Sequence, residues 1–192
     1  MPRKLKNKRN ILSAFYKLSK KKEYYQITVS EIITLSEVSK TTFYRYYQRK
    51  LDLLIEMHAG IFHTMLQEYL THDDWLSTNP KPMLIETAIK AAEKMNGRKS
   101  ISYKLGNDWP IAQRLLNESL TSAIKNQICI AFHNEKWNIC PEQLADTLAA
   151  LHLNFLTGLN GLSDKNTVIS NARNLQCFSR AIILASLEKN NK

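Results

Sequence analysis

The residues with the most evident chemistry lie in a short basic stretch, 28–50, reading TVSEIITLSEVSKTTFYRYYQRK. Its eight-residue core, Lys40–Tyr47, carries Lys40, Thr41, Tyr44, Arg45 and Tyr46 at positions that a helix would expose, with Phe43 and Tyr47 sharing the opposite face by their i, i+4 spacing. Hydroxyls and cations of this kind bond phosphate oxygens, and Lys or Arg also reads guanine edges in a major groove. Small three-helix units with basic surfaces dock proteins as well, so residue types alone leave both partners open.

The charge distribution narrows the choice. Residues 1–50 hold 13 Lys/Arg against 3 Asp/Glu, a net charge of +10; residues 51–192 hold 14 of each, a net of zero. A basic head on a neutral body suits a polyanion such as double-stranded DNA. An anionic membrane surface would also suit the charge, but the N-terminal lysines do not gather on one face of a strongly amphipathic helix.

The elements that must position these side chains follow from caps and periodicity. Ile11, Phe15 and Leu18 make one apolar stripe in a helix expected from Asn10, with the charge run Met1–Arg9 as a tail before it. Thr28 and Glu31 form a T-x-x-E capping box at the start of a second helix, with Val29 and Ile32 pointing inward. Val38 is the apolar residue of the turn that follows, and Ser39 caps a third helix. Leu51–Leu70 is expected as one long helix, Thr71–Pro82 as a loop, and Met83–Met95 as a helix. Asn96–Asp108 is either a loop or a short irregular helix. Asp108-Trp109-Pro110 opens a helix running to about His133. Pro141 opens another, with the stripe Leu144, Leu148, Leu151, Phe155 and Leu159, and the last runs from about Asn166 to Leu187. These last two are apolar around much of their circumference, which calls for burial on several sides and points to a partner chain.

The expected fold is thus all-α: a three-helix head over residues 1–50, joined by a long helix to a helical body over 51–192. No apolar run nears the ~20 residues of a membrane span, and the N-terminus lacks an export-type apolar segment. Cys129, Cys140 and Cys177 include no CxxC pair, so free thiols in a reducing cytoplasm are expected. Sequence signatures of serine hydrolases, P-loop proteins, dinucleotide-binding enzymes and zinc proteases are missing, so no enzymatic activity and no cofactor are expected. Cys129 and His133 share a helix face, but two ligands do not make a metal site.

Taken together, T-V-x-E-I, then V-S-K-T-T-F-Y-R-Y-Y, then two residues and Lys50, resembles the N-terminal domain of the TetR family of bacterial transcriptional regulators. The resemblance covers about residues 8–55 in detail and the layout of the chain as a whole. It implies that Thr28 touches phosphate, that Ser30 faces DNA, that Lys40 and Thr41 approach base edges, and that Thr42 and Tyr44 bond the backbone. It places Tyr46 at a usual His/Tyr position and has Lys50 grip a phosphate, while Ser39 caps the helix and Arg45 adds a cation. One departure stands out. Glu37 occupies a turn position commonly held by glycine; a positive φ there would strain it by about 1 kcal/mol and set a carboxylate near the phosphates.

The resemblance further implies a homodimer formed through the last two helices, with Leu148, Leu151, Phe155, Phe178 and Ile182 as interface residues. It implies a small-molecule effector among the body helices, with Phe62, Tyr103, Trp109, Phe132 and Phe155 as lining residues, although ordinary core packing accounts for each of these aromatics too. The function it implies is a repressor released from a palindromic operator by its ligand. The alternative is an adaptor or coactivator whose body binds a protein.

Overall fold

A computed structural model describes residues 3–95 and 101–188. Among them the chain is helical, in the order α1 (Arg3–Ser19), a 3-10 turn (Tyr24–Gln26), α2 (Val29–Ser36), α3 (Lys40–Tyr46), α4 (Lys50–Leu66), α5 (His72–Leu76), α6 (Pro82–Met95), α7 (Ile101–Leu105), a second 3-10 turn (Gly106–Asp108), α8 (Trp109–Ala131), α9 (Pro141–Gly158) and α10 (Lys165–Ser186). The all-α expectation holds.

The chain divides into two compact units. One is Met1–His58 with Ile101–Ala112; the other is Ala59–Ser100 with Gln113–Lys192. The division differs from a boundary at residue 50: the first unit takes the opening turns of α4 and recruits a segment from far along the chain.

In the first unit α1 packs on α2 and α3. Ile11, Ala14, Phe15, Ile32, Phe43 and Tyr47 are all buried. Ile11, Phe15, Ile32, Phe43 and Tyr47 are the inward residues that the spacing predicts, while Leu18 of the same stripe as Ile11 and Phe15 is half-buried; fully burying one such large side chain contributes about 1.5–3 kcal/mol. Val29 and Val38 are half-buried. The helix α1 starts at Arg3, seven residues before the expected start at Asn10. Its basic first turns are anchored from outside the segment, since Lys8 Nζ pairs with Glu56 at 3.0 Å and lies 6.0 Å from the ring centre of Tyr47.

In the second unit α10 packs against α9, α6 and α5. The stretch expected as a loop after residue 70 contains α5. Thr71 and Asp74 form a reciprocal capping box, with the Thr71 side chain accepting from Asp74 N–H and the Asp74 carboxylate accepting from Thr71 N–H at 2.8 Å. One residue on, Trp75 is fully buried. Gln176 ties this segment to α10: its Nε2 donates to the carbonyls of Trp75 (3.0 Å) and Ser77 (2.9 Å), and its Oε1 accepts from the Tyr69 hydroxyl at 2.8 Å. Burial pushes the Tyr69 hydroxyl up to about 12. Ala88, Ala92, Leu159 and Val168 form a further apolar cluster.

His152 sits in the middle of α9, buried, with Nδ1 against the Leu148 carbonyl at 2.7 Å. Burial drives its pKa from 6.5 down to about 4, and burial also lowers that of His58. The unfolded histidine takes its proton near pH 6.5, the folded one only near 4, so stability is full above the first value and is lost as the pH falls toward the second. Urea unfolding should therefore show stability declining below pH 6.5, by up to about 3 kcal/mol for His152 alone. His152→Leu should flatten its share of the decline between pH 6.5 and 5.5, above the range where carboxylates titrate, leaving the share due to His58. An unchanged pH profile in the variant would contradict this account.

Candidate nucleic-acid interface

Two caps set the helix-turn-helix. Thr28 Oγ1 accepts from Glu31 N–H at 3.2 Å, and Glu31 Oε2 accepts from Thr28 N–H at 3.0 Å, closing the predicted box. Lys22 pairs with the same Glu31, and these hydrogen bonds, with the Lys22 one first among them, hold that carboxyl down at about 2. At the second start Ser39 Oγ accepts from Thr42 N–H at 3.1 Å and lies 2.9 Å from Thr42 Oγ1. Ser39 and Thr42 are thus engaged in shaping the helix.

Between the caps, Glu37 ends α2 at φ 55°, ψ 37°, making it the single non-glycine residue with positive φ among the described residues. Its N–H turns back to the carbonyls of Ile33 and Thr34, and Val38 N–H reaches Ile33 O at 3.4 Å. This is a left-handed helix C-cap, the geometry for which glycine is the usual choice.

On α3 the residues Lys40, Thr41, Tyr44 and Arg45 are exposed, whereas Phe43 and the following Tyr47 are buried. The Phe43 ring meets the Tyr44 ring edge-on at 5.3 Å. Neither Lys40 nor Arg45 forms an ion pair with a described residue, leaving both cations available to an outside anion. Tyr46 is half-buried; Thr28 and Ser30 are exposed at the start of α2.

Lys50 differs from what the resemblance implies. Its ammonium donates to the carbonyls of Tyr24 (2.7 Å) and Ile27 (3.0 Å) and lies 4.2 Å from the centre of the Tyr24 ring. Partial burial lowers its pKa. The lysine therefore fastens the start of α4 to the turn that leads into α2, with one N–H of its three left over. The Tyr24 hydroxyl in turn donates to Asp108 Oδ2 at 3.1 Å, and Lys104 pairs with Glu23 at 3.7 Å. These two contacts hold the 101–112 segment within the first unit. Burial first, then the Asp108 carboxylate, pushes the Tyr24 hydroxyl far up.

The residues expected to line an effector site do not gather in one unit. Phe62 and Phe132 are buried in the second unit and Phe155 is half-buried there, but Tyr103 and Trp109 belong to the first, where Tyr103 is 63% exposed. A cleft lined by Ile89, Ala92, Leu162 and Val168 measures about 40 Å³, room for water and too small for a drug-sized ligand. Among the expected dimer residues, Leu148 packs the core of its own unit, fully buried, so it offers no surface to a partner. Leu151, Phe155 and Ile182 are half-buried, and Phe178 is 57% exposed. No group of described histidine, cysteine or acidic residues could hold a metal ion.

Neither a family model nor a curated protein matches the sequence. Among solved structures, the chain is similar to the TetR transcriptional regulator of Streptococcus agalactiae, at 23% identity and a TM-score of 0.50 over 92% of this chain and 94% of that one. The fold is that of a TetR regulator. Looser likenesses are to Escherichia coli NemR in its reduced form (16% identity, TM-score 0.46, 97% and 100% covered) and to an ArpA-like gamma-butyrolactone receptor (13%, 0.36, 93% and 100%). At those scores they add nothing to the assignment. Within the TetR fold, α2 and α3 are the helix-turn-helix, and Glu37 is its departure in sequence.

Two expectations concern the head without any DNA present. Lys50→Met should lower stability by about 1–2 kcal/mol, because it strips charged donors from two carbonyls at a partly solvated site; a lysine that served phosphate alone would leave stability unchanged. Glu37→Gly should raise stability by about 1 kcal/mol, whereas Glu37→Ala should not. Chemical denaturation of each variant checks both, and equal effects of Gly and Ala would contradict the backbone explanation.

Proposed function

We infer that the chain is a DNA-binding transcriptional regulator. The observation that carries this reading is the α3 face. It presents Lys40, Thr41, Tyr44 and Arg45 outward from a helix whose other side is locked into a three-helix core, within the stretch 1–50 that carries a net charge of +10. A side chain held this way meets a groove with little ordering cost. In this reading residues 1–50 bind DNA and residues 51–192 dimerise and receive an effector.

The working form is a homodimer on a palindromic operator, acting as a repressor that a small molecule releases in a bacterial cytoplasm. Phe178 and Leu184 on α10, exposed and apolar, with half-buried Leu151 and Phe155 on α9, supply the surface for a second copy. Release by a ligand is a two-state equilibrium biased by unequal affinity for the two states. Thr28, Ser30, Tyr46 and the remaining N–H of Lys50 serve phosphate oxygens around the groove contacts made by Lys40 and Thr41.

Selection from a random pool of double-stranded DNA tests the reading. It should enrich a palindrome whose half-site centres lie about one helical turn apart. Lys40→Ala should change the enriched half-site, while Tyr44→Ala should weaken binding to all sites about equally, by roughly tenfold. A pool with no enriched sequence would contradict the proposal and favour a protein partner.

A further inference from the structure

Helices α8 and α9 face one another through a ladder of side-chain contacts. Asn117 Nδ2 donates to Asp146 Oδ1 at 2.8 Å, and Thr121 Oγ1 donates to the same oxygen at 3.2 Å. One turn further along α8, Lys125 pairs with Glu142. Beyond the end of α8 the rings of Phe132 and Trp137 meet at 5.3 Å. The partners descend as the positions rise, so the two segments run antiparallel. Positions 117, 121, 125 and 129 are spaced by four and fall on one face of α8. Cys129 is therefore the next position on that stripe, and the register between the Lys125–Glu142 pair and the Phe132–Trp137 contact brings it level with the stretch 138–140 that ends in Cys140.

Both thiols are exposed. Cys140 is the N-cap residue of α9, and its side chain makes no capping hydrogen bond. Lys125 lies on the same stripe of α8, one turn before Cys129, and its hydrogen bond to Glu142 raises its pKa. The connection between the cysteines is pinned at its middle, where Asn138 N–H donates to Ser186 O at 2.8 Å and Glu188 N–H donates to Lys136 O at 2.9 Å.

We propose that Cys129 and Cys140 are a redox-active dithiol that a hydroperoxide closes into an intrachain disulfide. The Cys140 thiolate attacks an oxygen of the peroxide; the O–O bond breaks, an alcohol (or water) leaves with a proton, and Cys140 becomes a sulfenic acid. The Cys129 sulfur then attacks the Cys140 sulfur; the S–S bond forms, the S–O bond breaks, and the hydroxyl leaves as water with the Cys129 proton. Two thiols are oxidised by two electrons, and the peroxide is reduced. The bond staples the end of α8 to the start of α9. The site is independent of the DNA-binding reading.

The test treats the full chain with one equivalent of hydrogen peroxide, alkylates the remaining thiols, and maps peptides by mass spectrometry. A Cys129–Cys140 linkage lighter by two hydrogen atoms, reversed by dithiothreitol and retained in Cys177→Ser, is expected. In Cys129→Ser, Cys140 should instead be trapped as a sulfenic acid by dimedone. Recovery of Cys129 and Cys140 as free alkylated thiols would overturn the proposal, as would disulfides formed only between chains.

Discussion

An ammonium group in a partly buried position organises the head. Lys50 opens α4, yet its Nζ is bonded to the carbonyls of Tyr24 and Ile27 and rests on the Tyr24 ring. Those carbonyls belong to the turn that hands the chain to Thr28, the cap of α2. Removing a charge from water is costly unless its donors are satisfied, and here the turn satisfies two of them. The same lysine thereby ties the start of α4 to the turn that precedes α2, whose own start is set by the Thr28–Glu31 box. Tyr24 extends the knot to Asp108, 84 residues away. The exposed face of α3 is the far end of this chain of constraints, and its side chains are displayed on a frame settled before any partner arrives.

What could be read from the sequence was local. The capping box of Thr28 and Glu31 and the cap at Ser39 are statements about neighbours three residues apart. The inward turn of Phe43 and Tyr47 follows from helical spacing, and the left-handed backbone at Glu37 from a glycine-type position filled by another residue. What escaped was set by distant contacts. Lys8 extends α1 by reaching Glu56. Lys50 turns inward because two carbonyls from an earlier turn meet it, where its type and place suggested a phosphate ligand. The short helix α5 was legible in principle: the Thr71–Asp74 box repeats the pattern at Thr28, but polar composition masked it.

The body is less specific in sequence because its helices satisfy packing rather than chemistry. Leu148 and Phe178 belong to the same kind of apolar stripe, yet one lies in the core and the other on the surface. Periodicity finds the stripe; only tertiary packing separates the two. The buried Gln176 illustrates the reverse case. It is a polar residue on a core face, made tolerable by carbonyls at Trp75 and Ser77 that lie about a hundred residues earlier and that no spacing rule connects to it.

The central claim is that the α3 face of the folded head meets the phosphates and bases of a DNA duplex. Its most direct test is the salt dependence of binding to a selected site. Each phosphate neutralised releases counterions, so the logarithm of affinity should fall linearly with that of salt, with a slope of several units between about 50 and 200 mM. A flat response to salt would contradict the account.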